Sequence, residues 1–505
     1  MKNVRNDFLP ADRKIANRDC RFCTKRRIKC DRTIPQCRKC TIRGHSCPGF
    51  DAVQLNWNHS MARRGMPNQF PPRRGSSHPQ DRETESCIDR HSAPILTTFV
   101  EEIYPPIPHP LADDGLSRRQ SSTVLGERLI NHFSRHVVSI FSWIDSHKNP
   151  WRKIVLPLAQ GSISVRLSIL NLAAAHLAAT STGTIALRMK QVNYSLRDIA
   201  LRSLNQEIQR QLDCHAVKPP DQLCLTRILI AAITLCHAEL VTRDSTDWTL
   251  HLHACRAIVS RYGVCARNET LDPMTQFAIK EIRDVEVFNN VFSFSSSSKV
   301  ATTAIEFQPW TFTDLINDIT ALERHHYGYL SEGRQPPDVD FNIWQAKLEQ
   351  ASTQMSMSDI TCLLEQGKTT RDCFEALIDT HYYATLIYLH QAFASPTTLM
   401  QTVSSTVPIL LDRIQKVALA SGDAFSQDLF FPLFIAGTEC WGDEDKQGMI
   451  ERILLKLLVT TGLWCNHRAL DFLRGFWSSS EHHGTGKWIQ YARECRQQLG
   501  HFLVF

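Results

Sequence analysis

The chain has 505 residues, of which 43% are hydrophobic, and a formal net charge of +6 at pH 7. This size is enough for about two to four domains and at least one sizeable core. The longest apolar run, ILIAAITLC at 228–236, is too short to cross a bilayer, and the N-terminal residues lack the apolar segment of a secretory signal. A secreted or membrane-spanning protein is therefore not expected, and an intracellular location predicts reduced thiols.

The positive charge is concentrated in the N-terminal part of the chain. Residues 1–85 contain 19 Lys and Arg against 8 Asp and Glu, a net charge of +11, whereas residues 86–505 carry −5. A basic segment confined to one end is typical of an arm that binds nucleic acid, and the remainder is typical of ordinary solvated surface. The charge distribution thus favours an anionic partner for the first 85 residues.

Six cysteines follow residues 1–18, which are polar and basic and are expected to be flexible. They have the spacing C-x2-C-x6-C-x6-C-x2-C-x6-C, which consists of two halves of equal pattern. In a reducing compartment such a block is more often a metal site than a disulfide framework. The predicted metal ligands are Cys20, Cys23, Cys30, Cys37, Cys40 and Cys47.

The number of cysteines predicts two zinc ions rather than one. Zinc takes four ligands in a tetrahedron, so a single ion would leave two thiolates unused. Two ions need eight ligand positions, which six thiolates supply only if two of them bridge. Because the halves are equivalent, each should contribute one bridge, and the cysteine that opens each half, Cys20 or Cys37, is the natural choice. So small a block has little apolar core, and metal binding should supply most of its folding free energy.

A run of cations, TKRRIK, fills the gap between the second and third cysteines. Arginine can bond guanine O6 and N7 together, and other cations can neutralise phosphates and set register. The predicted DNA-binding residues are Lys25, Arg26, Arg27 and Lys29. The candidates for phosphate contacts alone are Lys29, Arg38, Lys39 and Arg21. Two other interpretations are that these cations offset the charge of the metal cluster, or that they form a nuclear import signal.

With these features, residues 19–49 resemble the fungal Zn2Cys6 binuclear cluster domain of transcription factors. The shared features are the basic segment, Asp31 after the third cysteine and Pro35 before the fourth. The resemblance implies two short helices, with the first in the major groove of DNA reading a CGG triplet. It also implies that Cys20 and Cys37 bridge the zinc ions and that Arg26 and Arg27 contact the bases, although the family more often has lysine at the position of Arg27.

Residues 50–119 are rich in Pro, Arg, Gly and Ser and contain no heptad pattern, so a mostly disordered linker without a coiled coil is expected. From 120 to 505 apolar residues recur at helical spacing, as in SILNLAAAHLAAT (168–180), and strand patterns are nearly absent. One large all-α domain is therefore predicted there. Eleven further cysteines, from Cys87 to Cys495, lack metal-like spacing and are expected to be small core residues.

The all-α region resembles the fungal-specific transcription factor domain found in acriflavine-sensitivity-control regulators, which implies a regulatory role. The resemblance covers about 120–505 and is carried by WTLHLHACRAIV (248–259), YATLIYLHQAF (383–393), FFPLFIAGTECW (430–441) and TTGLWCNHRALDFLRGFW (460–477). Helical spacing predicts a core position for Trp248, and Gly437 is expected to allow close helix approach. Tyr382, Tyr383 and Tyr388 fit a core better than a ligand pocket.

No motif in the sequence indicates an enzyme. HHGTGK (482–487) suggests a phosphate-binding loop, but it lacks the first glycine of that motif and has Trp488 where the motif has Ser or Thr. Adjacent histidines such as His325 and His326 do not have the i, i+4 spacing of a helical metal site, and neither H-E-x-x-H nor G-x-S-x-G occurs.

The sequence therefore predicts a nuclear, sequence-specific DNA-binding regulator of RNA polymerase II transcription that carries two zinc ions. Its expected partners are double-stranded DNA and the transcriptional machinery, with a second copy of the chain and a small effector as further candidates and no membrane. The alternative is a zinc-dependent protein-interaction module on a helical scaffold, without base-specific DNA binding.

Overall fold

The structure is a computed structural model, and it divides into two compact units, Met1–Met66 and Pro67–Phe505. The residues that it describes are 19–20, 22–23, 26, 28–33, 36–45, 47, 116–213, 221–262, 271–294, 311–358, 368–420, 425–482, 484–495 and 503–504. The predicted flexible N-terminus (1–18) lies outside them, as does the predicted linker except for its last four residues.

Helical structure in the N-terminal unit is short. Phe22 and Cys23 are helical, and helix α1 spans Arg38–Thr41. Each of these segments begins within two residues of the cysteine that opens one half of the block, and the Cys37 side chain accepts a hydrogen bond from Cys40 N at the start of α1. The two short helical segments agree with the expected cluster fold.

The second unit is built from helices, and its described residues contain no β-strand, which confirms the all-α prediction. Its first half contains α2 (Leu116–His132), α3 (Val138–Ile140), α4 (Leu156–Gly161), α5 (Ile163–Thr180), α6 (Gly183–Asp213), α7 (Gln222–Val241), α8 (Trp248–Tyr262) and α9 (Pro273–Phe292). Its second half contains α10 (Phe312–Ser331), α11 (Phe341–Ser358), α12 (Lys368–Phe393), α13 (Pro396–Ala418), α14 (Phe430–Thr438), α15 (Glu444–Thr461), α16 (His467–Ser478) and α17 (Trp488–Glu494). Phe133–Val137 and Trp151–Val155 are π-helical, and Ser426–Leu429 and Trp464–Asn466 are 3-10 turns.

Several of these helices begin at side chains that cap free backbone N–H groups. Ser162 accepts a bond from Val165 N at the start of α5. Thr311 and Asp314 form a reciprocal capping box at the start of α10. Such caps satisfy donors that have no partner inside the helix, and they fix where each helix starts.

Helices α5 and α7 form the centre of the first half, where α5 packs against both α6 and α7. By length and composition both are apolar enough to cross a membrane, but 67% and 89% of their most apolar windows are buried inside the helical unit. A core helix meets the same criteria, so these two helices are weak evidence for a membrane segment.

Helix α14, which contains FFPLFIAG, is the most deeply buried element of the second half. Each of its nine residues is buried, and it packs against α12, α13, α15 and α16. A Cβ atom on Gly437 would lie 2.8 Å from Leu473 Cδ1 on α16 and 3.3 Å from Ile450 Cγ2 on α15. The absence of a side chain is therefore what lets these three helices meet, as the sequence predicted.

Replacing Gly437 with alanine is expected to lower the free energy of unfolding of the helical unit by about 1–3 kcal/mol, because the new methyl group overpacks the contact with Leu473. Gly328 in α10 is a matched control, since a Cβ there meets no atom within 4 Å. Alanine at Gly328 should raise stability by about 0.5–1 kcal/mol through helix propensity. Urea unfolding followed by circular dichroism measures the change in the free energy of unfolding for both variants. Equal effects of the two substitutions would contradict the close approach.

The core predictions for Trp248 and Tyr388 are confirmed, whereas that for Tyr382 and Tyr383 is met only in part. Trp248 is 2% exposed, and Tyr388 is 1% exposed with its hydroxyl 2.9 Å from Thr320 Oγ1. Tyr382 and Tyr383 are only half-buried and stack edge-to-face on each other. The described cysteines outside the N-terminal block are free thiols, and most of them are buried.

The GTGK loop (484–487) is bound to a carboxylate of the chain itself. Gly486 N donates a hydrogen bond to Glu439 Oε1 over 3.1 Å, and Gln391 Nε2 donates to the same oxygen over 2.5 Å. Gln391 Oε1 in turn accepts from Trp488 Nε1 at the start of α17. Burial raises the pKa of Glu439 to about 7. The loop therefore joins α12, α14 and α17 rather than presenting an open anion site.

Candidate metal centre

The six cysteines of the N-terminal block form the core of their unit. All six are buried, and the partly buried side chains of Phe22 and Ile28 pack against them. In each of two groups of four, the sulfur atoms all lie within 4.8 Å of one another. The first group contains Cys20, Cys23, Cys30 and Cys37, and the second contains Cys20, Cys37, Cys40 and Cys47. Cys20 and Cys37 belong to both groups, which is the arrangement that two bridging thiolates require.

The distances between the sulfurs fit zinc. Cys20 Sγ lies 3.5 Å from Cys37 Sγ and 3.7 Å from Cys40 Sγ, and Cys23 Sγ lies 3.7 Å from Cys37 Sγ. Sulfurs at the corners of a tetrahedron around zinc, each ~2.3 Å from the metal, are ~3.8 Å apart. A disulfide would need ~2.05 Å between two sulfurs. The block is therefore shaped as a metal centre.

Ionised thiols in this core need a compensating cation. Burial raises the pKa of Cys23, Cys37 and Cys40 above the ordinary value of a thiol. Burial opposes ionisation of Cys20 as well, but the hydrogen bond from Cys23 N and the neighbouring sulfurs outweigh it and lower its pKa to about 7. Metal ions would supply the missing charge, and when bound they hold the thiols as thiolates.

The two halves repeat one pattern of backbone bonds with an offset of 17 residues. In the first half, Cys20 N donates to Cys30 Sγ over 3.4 Å and Cys23 N donates to Cys20 Sγ over 3.5 Å. The second half repeats these bonds from Cys37 N to Cys47 Sγ and from Cys40 N to Cys37 Sγ, both over 3.4 Å. Backbone N–H groups that point at sulfur orient the ligands and spread their charge.

Two aspartates support this frame. Asp31 accepts hydrogen bonds from Arg38 N over 2.9 Å and Thr33 Oγ1 over 2.8 Å, so that it caps α1. Although burial opposes ionisation of Asp31, these bonds hold its pKa below the usual range. Asp19 accepts from Arg32 Nε over 2.6 Å, and this bond lowers the pKa of Asp19. The sequence reasoning missed the role of Asp19 and noted Asp31 only as a family feature.

The structure describes part of the predicted DNA-binding set. Arg26 is exposed, and its guanidinium lies 5.4 Å from the centre of the Phe22 ring. Lys29 and Arg38 are exposed as well, whereas Lys39 Nζ donates to the carbonyl oxygen of Lys29. Lys25, Arg27, Arg21 and Pro35 lie outside the described residues. The contacts of these side chains with DNA stay predictions.

Two protein families match the chain, one in the N-terminal unit and one in the helical unit. Residues 18–54 match the fungal Zn(2)-Cys(6) binuclear cluster domain. Residues 128–282 and 310–501 match the fungal specific transcription factor domain. No curated protein matches the chain significantly. The first match covers the six cysteines, and the second covers most of the helical unit.

Proposed function

The chain belongs to the family of the fungal specific transcription factor domain, and from this premise we propose that it regulates RNA polymerase II transcription in the nucleus by binding CGG-type DNA elements. Its zinc cluster domain holds two zinc ions through six cysteines. We divide the chain into a flexible basic N-terminus (1–18), the cluster domain (19–49), a linker (50–119) and a regulatory domain (120–505).

The excess of positive charge around the metal centre supports a nucleic-acid partner. Residues 19–47 contain nine Lys and Arg against two Asp. Six thiolates and two Zn²⁺ ions together carry −2, so the segment retains +5 after the cluster charge has been offset. Neutralising the cluster therefore accounts for only part of these cations. A field of this size attracts DNA and makes binding strongly salt-dependent.

The exposed position of Arg26 is the observation that best supports base recognition. Its side chain is exposed, next to a helical segment that the buried Cys20 and Cys23 fix to the metal centre. A cation on so short a segment is held in direction only because the zinc ligands flank it. We assign base contacts in the major groove to Arg26 and Arg27, with Lys25 and Lys29 beside them, and phosphate contacts to Lys29 and Arg38.

The helical domain is assigned to regulation. It is a compact unit of its own, and it belongs to the fungal transcription factor family over most of its length. We propose that it receives the signal, from the transcriptional machinery, from a second copy of the chain or from a small effector.

Selection from a random DNA pool with the zinc-loaded full chain tests this function. Enrichment of CGG triplets is expected, and their number and spacing will distinguish a monomer from a dimer. The zinc-stripped chain is the control and should select nothing. A chain with two zinc ions that enriches no sequence would favour a zinc-dependent protein-interaction module instead.

A further inference from the structure

The 17-residue repeat places a second arginine in the position that Arg26 has in the first half. The turn that contains Arg26 is closed by a hydrogen bond from Ile28 N to Cys23 O over 3.0 Å. The turn that contains Arg43 is closed by the corresponding bond from His45 N to Cys40 O, also over 3.0 Å. Both arginines are exposed. Arg43 is therefore the structural counterpart of Arg26, although it lies outside the basic run that the sequence singled out.

Phe22 and Lys39 correspond under the 17-residue offset, and each of them contacts the other half. Phe22, four residues before Arg26, packs against His45 at the end of the second turn, with the ring centres 4.7 Å apart and the rings tilted by 47°. Lys39, four residues before Arg43, donates through Nζ to the carbonyl oxygen of Lys29 after the first turn. In the second half, Lys39 thus occupies the position that Phe22 occupies in the first half. Lys29, Lys39 and Arg43 form what we call the second basic edge of the domain.

No described carboxylate forms an ion pair with the second basic edge. Asp19 is paired with Arg32, and the Asp31 carboxylate is occupied by the N–H groups of α1 and by Thr33. Lys29, Lys39 and Arg43 form no ion pair with any residue that the structure describes. Like charges on so small a domain repel one another, and a bound anion would relieve this repulsion.

The two halves differ in what could reach a base. The first half has Lys25 and Arg27 around Arg26, whereas the second half has Ile42 and Gly44 around Arg43. Gly44 has no side chain, and the exposed Ile42 offers no hydrogen-bond donor. The second half can therefore hold phosphate but is poorly equipped to read sequence.

We propose that the second basic edge, through Arg43 together with Lys29 and Lys39, binds a backbone phosphate of the DNA whose bases the first half reads. This inference rests on the proposed function. It divides the cluster domain into a half that reads sequence and a half that fixes register.

Equilibrium binding of the zinc-loaded full chain to duplexes with and without CGG, between 50 and 200 mM KCl, tests this division. Arg43→Gln should weaken binding to both duplexes by a similar factor, about 3- to 10-fold, and should reduce the salt slope by about 1. Ile42→Lys adds a cation to an 80% exposed position and should raise the slope by about 1. Arg188→Gln, an exposed site in α6, makes the same change in net charge and should alter neither quantity.

The zinc content of every variant must be measured and must equal two ions per chain. Otherwise an unfolded cluster domain could be mistaken for the loss of a phosphate contact. The inference is overturned if Arg43→Gln and Ile42→Lys both behave like Arg188→Gln, or if Arg43→Gln weakens only the CGG duplex. A wild-type chain that holds two zinc ions but binds neither duplex would contradict the proposed function as well. The two failures are thus distinguishable.

Discussion

Alanine at Cys37 is expected to release both zinc ions and to abolish DNA binding, with a loss of affinity of at least about 100-fold. Cys37 belongs to both groups of sulfur ligands, so its removal leaves each ion with three thiolates. A structural zinc site contributes about 10–16 kcal/mol of binding free energy in small domains, and this domain has little apolar core besides the cysteines. The domain should therefore unfold while the helical unit stays folded.

The zinc content of the purified protein and the thermal unfolding of the helical unit are the measurements. Cys47→Ala is an informative comparison, because Cys47 belongs to one group only and its loss leaves the other group complete. Cys495→Ala, outside the cluster, is the control and should retain two ions. If the Cys37→Ala chain kept both ions as tightly as the wild type does, a bridging role for this thiolate would be wrong.

Alanine at both Arg26 and Arg27 should remove the preference for CGG without removing zinc. A good bidentate contact between arginine and guanine discriminates by about 1–3 kcal/mol, so the pair should contribute about 2–6 kcal/mol. The lower value already corresponds to about 30-fold in affinity. Neither side chain is a metal ligand, and the buried cysteine core should form as in the wild type.

Dissociation constants for a CGG duplex and a scrambled duplex, measured at one salt concentration, give the preference directly. Lys29→Gln is the matched control: it also removes charge from the basic run, but as a phosphate contact it should weaken both duplexes alike. A double-alanine chain that still preferred CGG, with two zinc ions bound, would mean that other residues read the bases.

The sequence was most informative where chemistry limits the choices. Six cysteines in a repeated spacing can satisfy zinc in few ways, and the sulfurs of Cys20 and Cys37 do lie in both ligand groups. The role of Asp19 depends instead on its contact with Arg32, 13 residues away in the sequence. The 17-residue repeat was visible, but its extension from the cysteines to Arg26 and Arg43 required the closing bonds of the two turns.

In the helical unit the pattern predicted the class of structure and several core positions. Gly437 and Tyr388 are examples, because an apolar helix of small and aromatic residues has to be buried. The hydrophobic pattern could not predict which helices pack against each other, since many helices with similar apolar faces can pack in several ways. The contact of Glu439 with the GTGK loop likewise joins residues 47 positions apart.

Because Glu439 and the GTGK loop belong to one chain, the Glu439 carboxylate competes with dissolved anions for the N–H group of Gly486. A group tethered in this way acts at an effective concentration on the order of millimolar or more. Phosphate or a nucleotide would have to displace Glu439 and also break the bond between Gln391 and Trp488 that shares the site. The joint between α12, α14 and α17 is therefore closed to these anions for as long as Glu439 stays bound to the loop.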